Sequence, residues 1–196
     1  MQIRTEWIGL AAAALLAVAA GWFLLPAPRP DATGPDARAA IGKGDYVLTT
    51  TAGTPFTAAS LTGHPSAVFF GYTHCPDVCP TTLGDITQWQ EALGPRQGAL
   101  RIWFVSVDPE RDTPATLADY LSWSEGITGV SGTRAETDKA LTSFAIYARR
   151  VGDDADYTMD HTAYVMLFDR TGDFVETIGY QEPIEQALPK LIRLLD

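Results

Sequence analysis

The chain has 196 residues, 46% apolar and 19% charged, which is the composition of one globular domain with an appendage and excludes disordered and fibrous classes. A formal net charge of −10 excludes a broad electrostatic grip on nucleic acid. Two cysteines and three scattered histidines exclude a disulfide-stapled scaffold and a structural zinc finger, so any special chemistry must be assembled from few residues.

From Ile8 to Leu25 the chain runs IGLAAAALLAVAAGWFLL without a polar residue. As a helix this stretch reaches about 27 Å, close to the hydrocarbon thickness of a bilayer. Trp7 and Trp22-Phe23 stand near its ends, and Pro26, Pro28 and Pro30 stop it. Residues 1–25 therefore read as one transmembrane anchor. Ala17-Val18-Ala19 offers a signal-peptidase site as the alternative, but cleavage there would leave an apolar new terminus. Either reading puts the following domain outside the cytoplasm. Residues 26–44, rich in Pro, Ala and Gly, read as a tether, and residues 45–196 as the folded domain.

In that domain, Tyr46–Thr51 and Phe56-Thr57 flank a Gly53 turn and suggest a hairpin. Ser66–Tyr72 and Leu100–Val107 are short apolar runs of the kind buried on both faces of a sheet. Leu83, Ile86, Trp89 or Gln90, and Leu93 recur at helical spacing between them, which predicts a βαβ unit, with the regular helix starting after Pro80. Thr113 caps a second helix, with Pro114 at its first position, running through Trp123. A third helix is predicted over 136–150, with Ala140, Leu141, Phe144 and Tyr147 as its apolar stripe. Tyr164–Phe168 and Phe174–Ile178 form a hairpin around Gly172, and a helix from Pro183, containing Pro189, ends the chain. This order predicts an α/β fold of thioredoxin-like type, a mixed central sheet flanked by helices.

Both cysteines lie in Gly71-Tyr72-Thr73-His74-Cys75-Pro76-Asp77-Val78-Cys79-Pro80, at a strand-to-helix junction. Such junctions lie outside the carboxyl end of a sheet, where α/β folds bind ligands, and a helix N-terminus favours thiolates. The spacing is C-x-x-x-C rather than the C-x-x-C of thioredoxin-type redox enzymes. About one helical turn apart, the sulfurs can grip one ion, and two thiolates with an imidazole suit Cu(I). His64 sits in a Gly-His-Pro turn and reads as solvated. His74 adjoins Cys75 and reads as a local positioning group, because neighbouring side chains diverge. His161 is favoured as third ligand, since it precedes the Tyr164 strand, whose start faces the cysteine loop in a thioredoxin-like sheet. Thioredoxins commonly place a cis-proline there, and this chain has Thr162-Ala163. A buried core histidine is the plain alternative for His161. Val107-Asp108-Pro109-Glu110-Arg111-Asp112-Thr113-Pro114 reads first as turn and capping chemistry, and Asp77 as solvated.

Gly71–Pro80, Val107–Pro114, Thr128-Gly129-Val130-Ser131-Gly132 and Asp160-His161-Thr162 together resemble the Sco/SenC family of membrane-anchored copper chaperones over about residues 44–195. The resemblance implies copper held by Cys75, Cys79 and His161, as Cu(I) and, as a further candidate, Cu(II). It also implies Asp160 as the acid beside the ligand histidine, with Thr162 where the family often has Ser. The implied role is delivery of copper to the dinuclear site of cytochrome c oxidase subunit II, the chain being a binding protein rather than an enzyme. The alternative is a thiol-disulfide reductase that keeps the partner's cysteines reduced. An upstream copper donor protein, a thiol reductant and the inner membrane are the other expected partners, nucleic acid not among them. The expected location is the bacterial inner membrane, single-pass, with the C-terminal domain in the periplasm. Aerobic handling is expected to join Cys75 and Cys79 as a disulfide.

Overall fold

The computed structural model describes residues 35–153 and 156–196. The predicted anchor and the Ala17-Val18-Ala19 alternative lie outside the described residues. Among the described residues, no helix is long and apolar enough to cross a membrane.

Nine strands are described: β1 (Leu48–Thr50), β2 (Pro55–Phe56), β3 (Ser66–Gly71), β4 (Arg101–Ser106), β5 (Ile127–Ser131), β6 (Ala148–Val151), β7 (Thr158–His161), β8 (Val165–Phe168) and β9 (Phe174–Ile178). The helices are α1 (Pro35–Ala39), α2 (Val78–Leu93), α3 (Pro114–Tyr120), α4 (Arg134–Ser143) and α5 (Ile184–Leu195). Seven strands form one sheet in the order β2-β1-β5-β4-β3-β8-β9, while β6 and β7 pair only with each other. Strands β3, β4 and β5 run parallel, and β1, β8 and β9 pair antiparallel to their neighbours, so the sheet is mixed as expected.

The central strand β3 is buried at all six positions, because helices and loops cover both of its faces. On α2 the buried residues Cys79, Thr82, Leu83, Ile86, Trp89 and Leu93 recur every three or four positions and turn one stripe to the sheet. Phe144 joins the strands to the helices. Its ring lies 5.5 Å from Tyr46, 5.0 Å from Phe70 and 5.7 Å from Phe168. Thr113 caps α3 as predicted, accepting the Thr116 N–H at 3.1 Å. The β8–β9 hairpin turns at Gly172, φ +81°, again as predicted.

Four expectations are corrected. First, α2 starts at Val78, so Cys79 and Pro80 lie in its first turn; Pro80 fits there because the first amides of a helix have no intrahelical acceptor. Second, residues 127–131 form a parallel strand that the sequence conceals behind Thr128 and Gly129. A Cβ on Gly129 would come within 2.9 Å of Leu117 Cβ and 2.7 Å of Thr51 Cγ2, so glycine lets α3 sit close to this strand. Third, the helix predicted over 136–150 stops at Ser143: Ala145 adopts φ +53°, and the chain continues as β6, leaving Tyr147 exposed. The apolar spacing was helical, but the hydrogen bonds of residues 148–151 go to β7. Likewise α3 ends at Tyr120, with Trp123 exposed beyond it. Fourth, residues 35–44, assigned by sequence to the tether, are part of the fold: the Gly42 N–H donates to Ser143 O at 2.8 Å, Tyr46 Oη donates to Gly42 O at 2.8 Å, and Arg38 lies over the Phe174 ring at 5.4 Å.

Candidate metal centre

Three segments meet at the carboxyl end of β3. The strand ends at Gly71, where a Cβ would lie 2.9 Å from Cys79 Sγ and 2.8 Å from Phe104 Cε2, so glycine makes room for the buried sulfur. The loop from Tyr72 to Asp77 carries Cys75, half-buried, and the first turn of α2 carries Cys79, fully buried. The third segment is the β6–β7 pair, whose last residue is His161.

The two Sγ atoms and one ring nitrogen of His161 all lie within 4.8 Å of one another, and Nε2 is 3.7 Å from Cys79 Sγ. His161 Nδ1 lies 2.8 Å from Thr162 O, a backbone carbonyl that can only accept. The ring proton is therefore on Nδ1, and the Nε2 lone pair is turned to the sulfurs. The Tyr72 ring meets the imidazole edge-on, 5.7 Å between centroids at 89°. This is the arrangement expected of a soft-cation site, and the group can hold copper.

Unpaired helix amides act on the sulfurs. The Cys79 N–H donates to Cys75 Sγ at 3.3 Å. A hydrogen bond from the Cys79 side chain, with the backbone N–H groups of Cys79 and Asp77, outweighs burial and holds the Cys75 thiol down at about 4. Cys79 moves the opposite way: its hydrogen bond to Cys75 and its burial push it far up. At neutral pH the pair thus carries one proton and one negative charge. Both cysteines are free thiols in the structure.

The loop is braced from behind by Asp112, itself fully buried. Its carboxylate accepts the Thr73 N–H at 3.1 Å, the Thr73 hydroxyl at 2.6 Å and the Ser106 hydroxyl at 2.6 Å. The Val107–Pro114 segment, read from sequence as turn chemistry, thus also supports the cysteine loop. Nothing local in the sequence marks that role, because Thr73 and Asp112 lie 39 positions apart.

His74 stays outside the three-ligand group, as expected. Thr73 Oγ1 gives its proton to Asp112 and so accepts from His74 Nδ1 at 3.0 Å. His64 and Asp77 are exposed, also as expected. Asp160 turns outward and pairs with Arg149 at 3.1 Å, with both side chains exposed. The acid implied beside the ligand histidine is thus a surface ion pair here.

A family model described as SCO1/SenC matches residues 34–196. The structure of ScoI from Bradyrhizobium japonicum with copper bound is 46% identical, with a TM-score of 0.71 over 78% of this chain and 99% of that one. Yeast Sco1 with copper bound is 32% identical, with a TM-score of 0.70 over 77% of this chain and 87% of that one. Among curated proteins, the mitochondrial protein SCO2 of Saccharomyces cerevisiae is 34% identical over 165 residues, 80% of this chain and 55% of that protein. The chain spans about half the length of the curated relatives first matched.

Proposed function

The chain belongs to the SCO1/SenC family, and from that premise we propose that it carries one Cu(I) on Cys75 Sγ, Cys79 Sγ and His161 Nε2 and delivers it to the dinuclear copper site of cytochrome c oxidase subunit II. The observation that supports this reading is the convergence of two sulfurs and one correctly oriented imidazole nitrogen within 4.8 Å. Two thiolates and a neutral imidazole leave a bound Cu(I) three-coordinate and open to an incoming ligand. Cys75 is the less buried of the two cysteine residues, so exchange with a partner's thiolate starts there, while Cys79 holds the ion from inside.

The same reading takes the apolar run of residues 8–25 as an anchor in the bacterial inner membrane, with the domain in the periplasm. It also requires an upstream copper donor and, because both sulfurs must be reduced to load, a thiol reductant. The deciding experiment is an anaerobic Cu(I) titration of reduced protein against a competing chelator. One equivalent should bind. His161→Ala should weaken binding by at least the about tenfold that loss of a mere supporting partner costs. Equal retention by the alanine variant would remove His161 from the ligand set.

A second reading, thiol-disulfide exchange, is favoured by the asymmetry of the pair. Cys75 is ionised and partly accessible, and Cys79 is protonated and buried. In that reaction the Cys75 thiolate attacks a partner disulfide and releases one partner thiolate. Cys79, deprotonated, then attacks Cys75 Sγ and frees the second, leaving this chain oxidised by two electrons. Metal-free protein that reduces a disulfide-bonded subunit II fragment one for one would support it, and absence of reaction would remove it.

A further inference from the structure

The histidine arm poses a problem of placement. Strands β6 and β7 bond to each other and not to the seven-stranded sheet, whose strand β3 leads into the cysteine loop. His161 is tied to the sheet by the three residues before β8, and side-chain contacts fix the rest of the arm. Several of these contacts come from Val107–Pro114, the segment read from sequence first as turn and capping chemistry.

Asp108 is fully buried and accepts two short hydrogen bonds on its carboxylate, from Arg111 Nε at 2.5 Å and from the Tyr157 hydroxyl at 2.5 Å. Arg111 Nη1 then donates to Tyr157 O at 3.0 Å. The guanidinium lies 3.6 Å from the centre of the Tyr157 ring and 5.9 Å from that of Tyr72. Tyr157 immediately precedes β7, and His161 ends it. Tyr72, on the cysteine side, meets the His161 ring edge-on. One guanidinium thus lies against the base of the arm and within cation–π range of the ring that meets the imidazole edge-on.

We propose that Asp108, Arg111 and Tyr157 form a latch that fixes the β6–β7 arm on the cysteine loop, with Arg111 and Tyr157 acting as positioning residues for copper binding through His161. The proposal rests on the three-ligand reading above. Arg is suited to this place because its guanidinium lies against the Tyr157 ring, within cation–π range of Tyr72, while Nε and Nη1 donate; Lys keeps the charge and loses the plane. Removing Asp108 would strand a half-buried cation and endanger folding, so it makes a poor probe.

The test is a double-mutant cycle on the reduced full chain, read by anaerobic Cu(I) competition. Tyr157→Phe and Arg111→Lys are each placed in the wild-type background and in His161→Ala. In the wild-type background each should weaken Cu(I) binding about tenfold, the scale of a lost supporting partner. In His161→Ala each should add less than about twofold, since there is no imidazole left to place. X-ray absorption of the Cu(I)-loaded Tyr157→Phe protein should keep two Cu–S contacts and lose Cu–N intensity. An equal loss in both backgrounds would mean general damage, and no loss in either would mean that the arm holds itself; both overturn the latch. If His161→Ala alone binds like wild type, the ligand reading fails, and it does so visibly before any latch variant is measured.

Discussion

At the scale of single residues, the site is governed by one proton shared between two sulfurs. Cys75 is held near 4 and Cys79 is raised, so reduced protein at neutral pH carries a single thiolate. Binding Cu(I) needs both thiolates and must expel the remaining proton. Loading at pH 7 should therefore release about one proton per copper from the sulfur pair, measurable by a pH indicator in weak buffer. Apparent affinity should rise about tenfold per pH unit above pH 5 and fall more steeply below about 4, where Cys75 also takes a proton. An affinity flat with pH would show that the sulfurs are already doubly ionised. Gly71 is the other residue on which the site turns. Gly71→Ala would push a methyl into Cys79 Sγ and Phe104. It should cost about 1–3 kcal/mol in urea unfolding and weaken Cu(I) binding as well. Cys75 and Cys79 were legible from residue type and spacing, whereas the preference for His161 over His64 and His74 came from the expected fold, which brings the start of the Tyr164 strand to the cysteine loop. Asp112 behind the loop was not, since a buried carboxylate and a turn Asp look alike until their partners are known.

At the scale of elements, what the sequence revealed depended on whether an element is held by its own neighbours. Thr113-Pro114 before α3 and Gly172 in the last hairpin are local signals, and the helix starts and the hairpin turns where expected. The segment after Ser143 is different: Phe144 and Tyr147 continue a helical stripe, yet the backbone turns at Ala145 and pairs with a strand ten residues on. No local pattern announces a strand whose partner supplies its hydrogen bonds. That turn is held by a non-glycine residue at positive φ, a conformation costing about 1–2 kcal/mol. Ala145→Gly should thus stabilise the folded chain by about 0.5–1 kcal/mol after allowance for the freer unfolded state, read as a raised urea midpoint. A lowered midpoint would mean that the Ala145 methyl contributes packing that exceeds the strain.

At the scale of the whole molecule, the domain begins earlier than composition suggests. Pro-, Ala- and Gly-rich sequence reads as a tether, but Ile41 packs on the core, Gly42 is bonded to α4's last residue, and Lys43 pairs with Asp173 at 2.5 Å. Few apolar residues are enough when the surface they cover is already built. A chain begun at residue 45 should unfold at lower urea than one begun at residue 35, by about 1–3 kcal/mol, and equal midpoints would show these contacts to be idle.

The donors of the centre are also far apart along the chain, 82 positions between Cys79 and His161. A ribosome adding about 5–20 residues per second emits the sulfurs roughly 4–16 s before the nitrogen. Every newborn molecule passes through an interval in which its thiols are present and its imidazole is not yet made. If the chain loads copper as proposed, an oxidant met in that interval finds a thiol pair that no metal can yet hold, and a reductant would be needed at first loading as well as after damage.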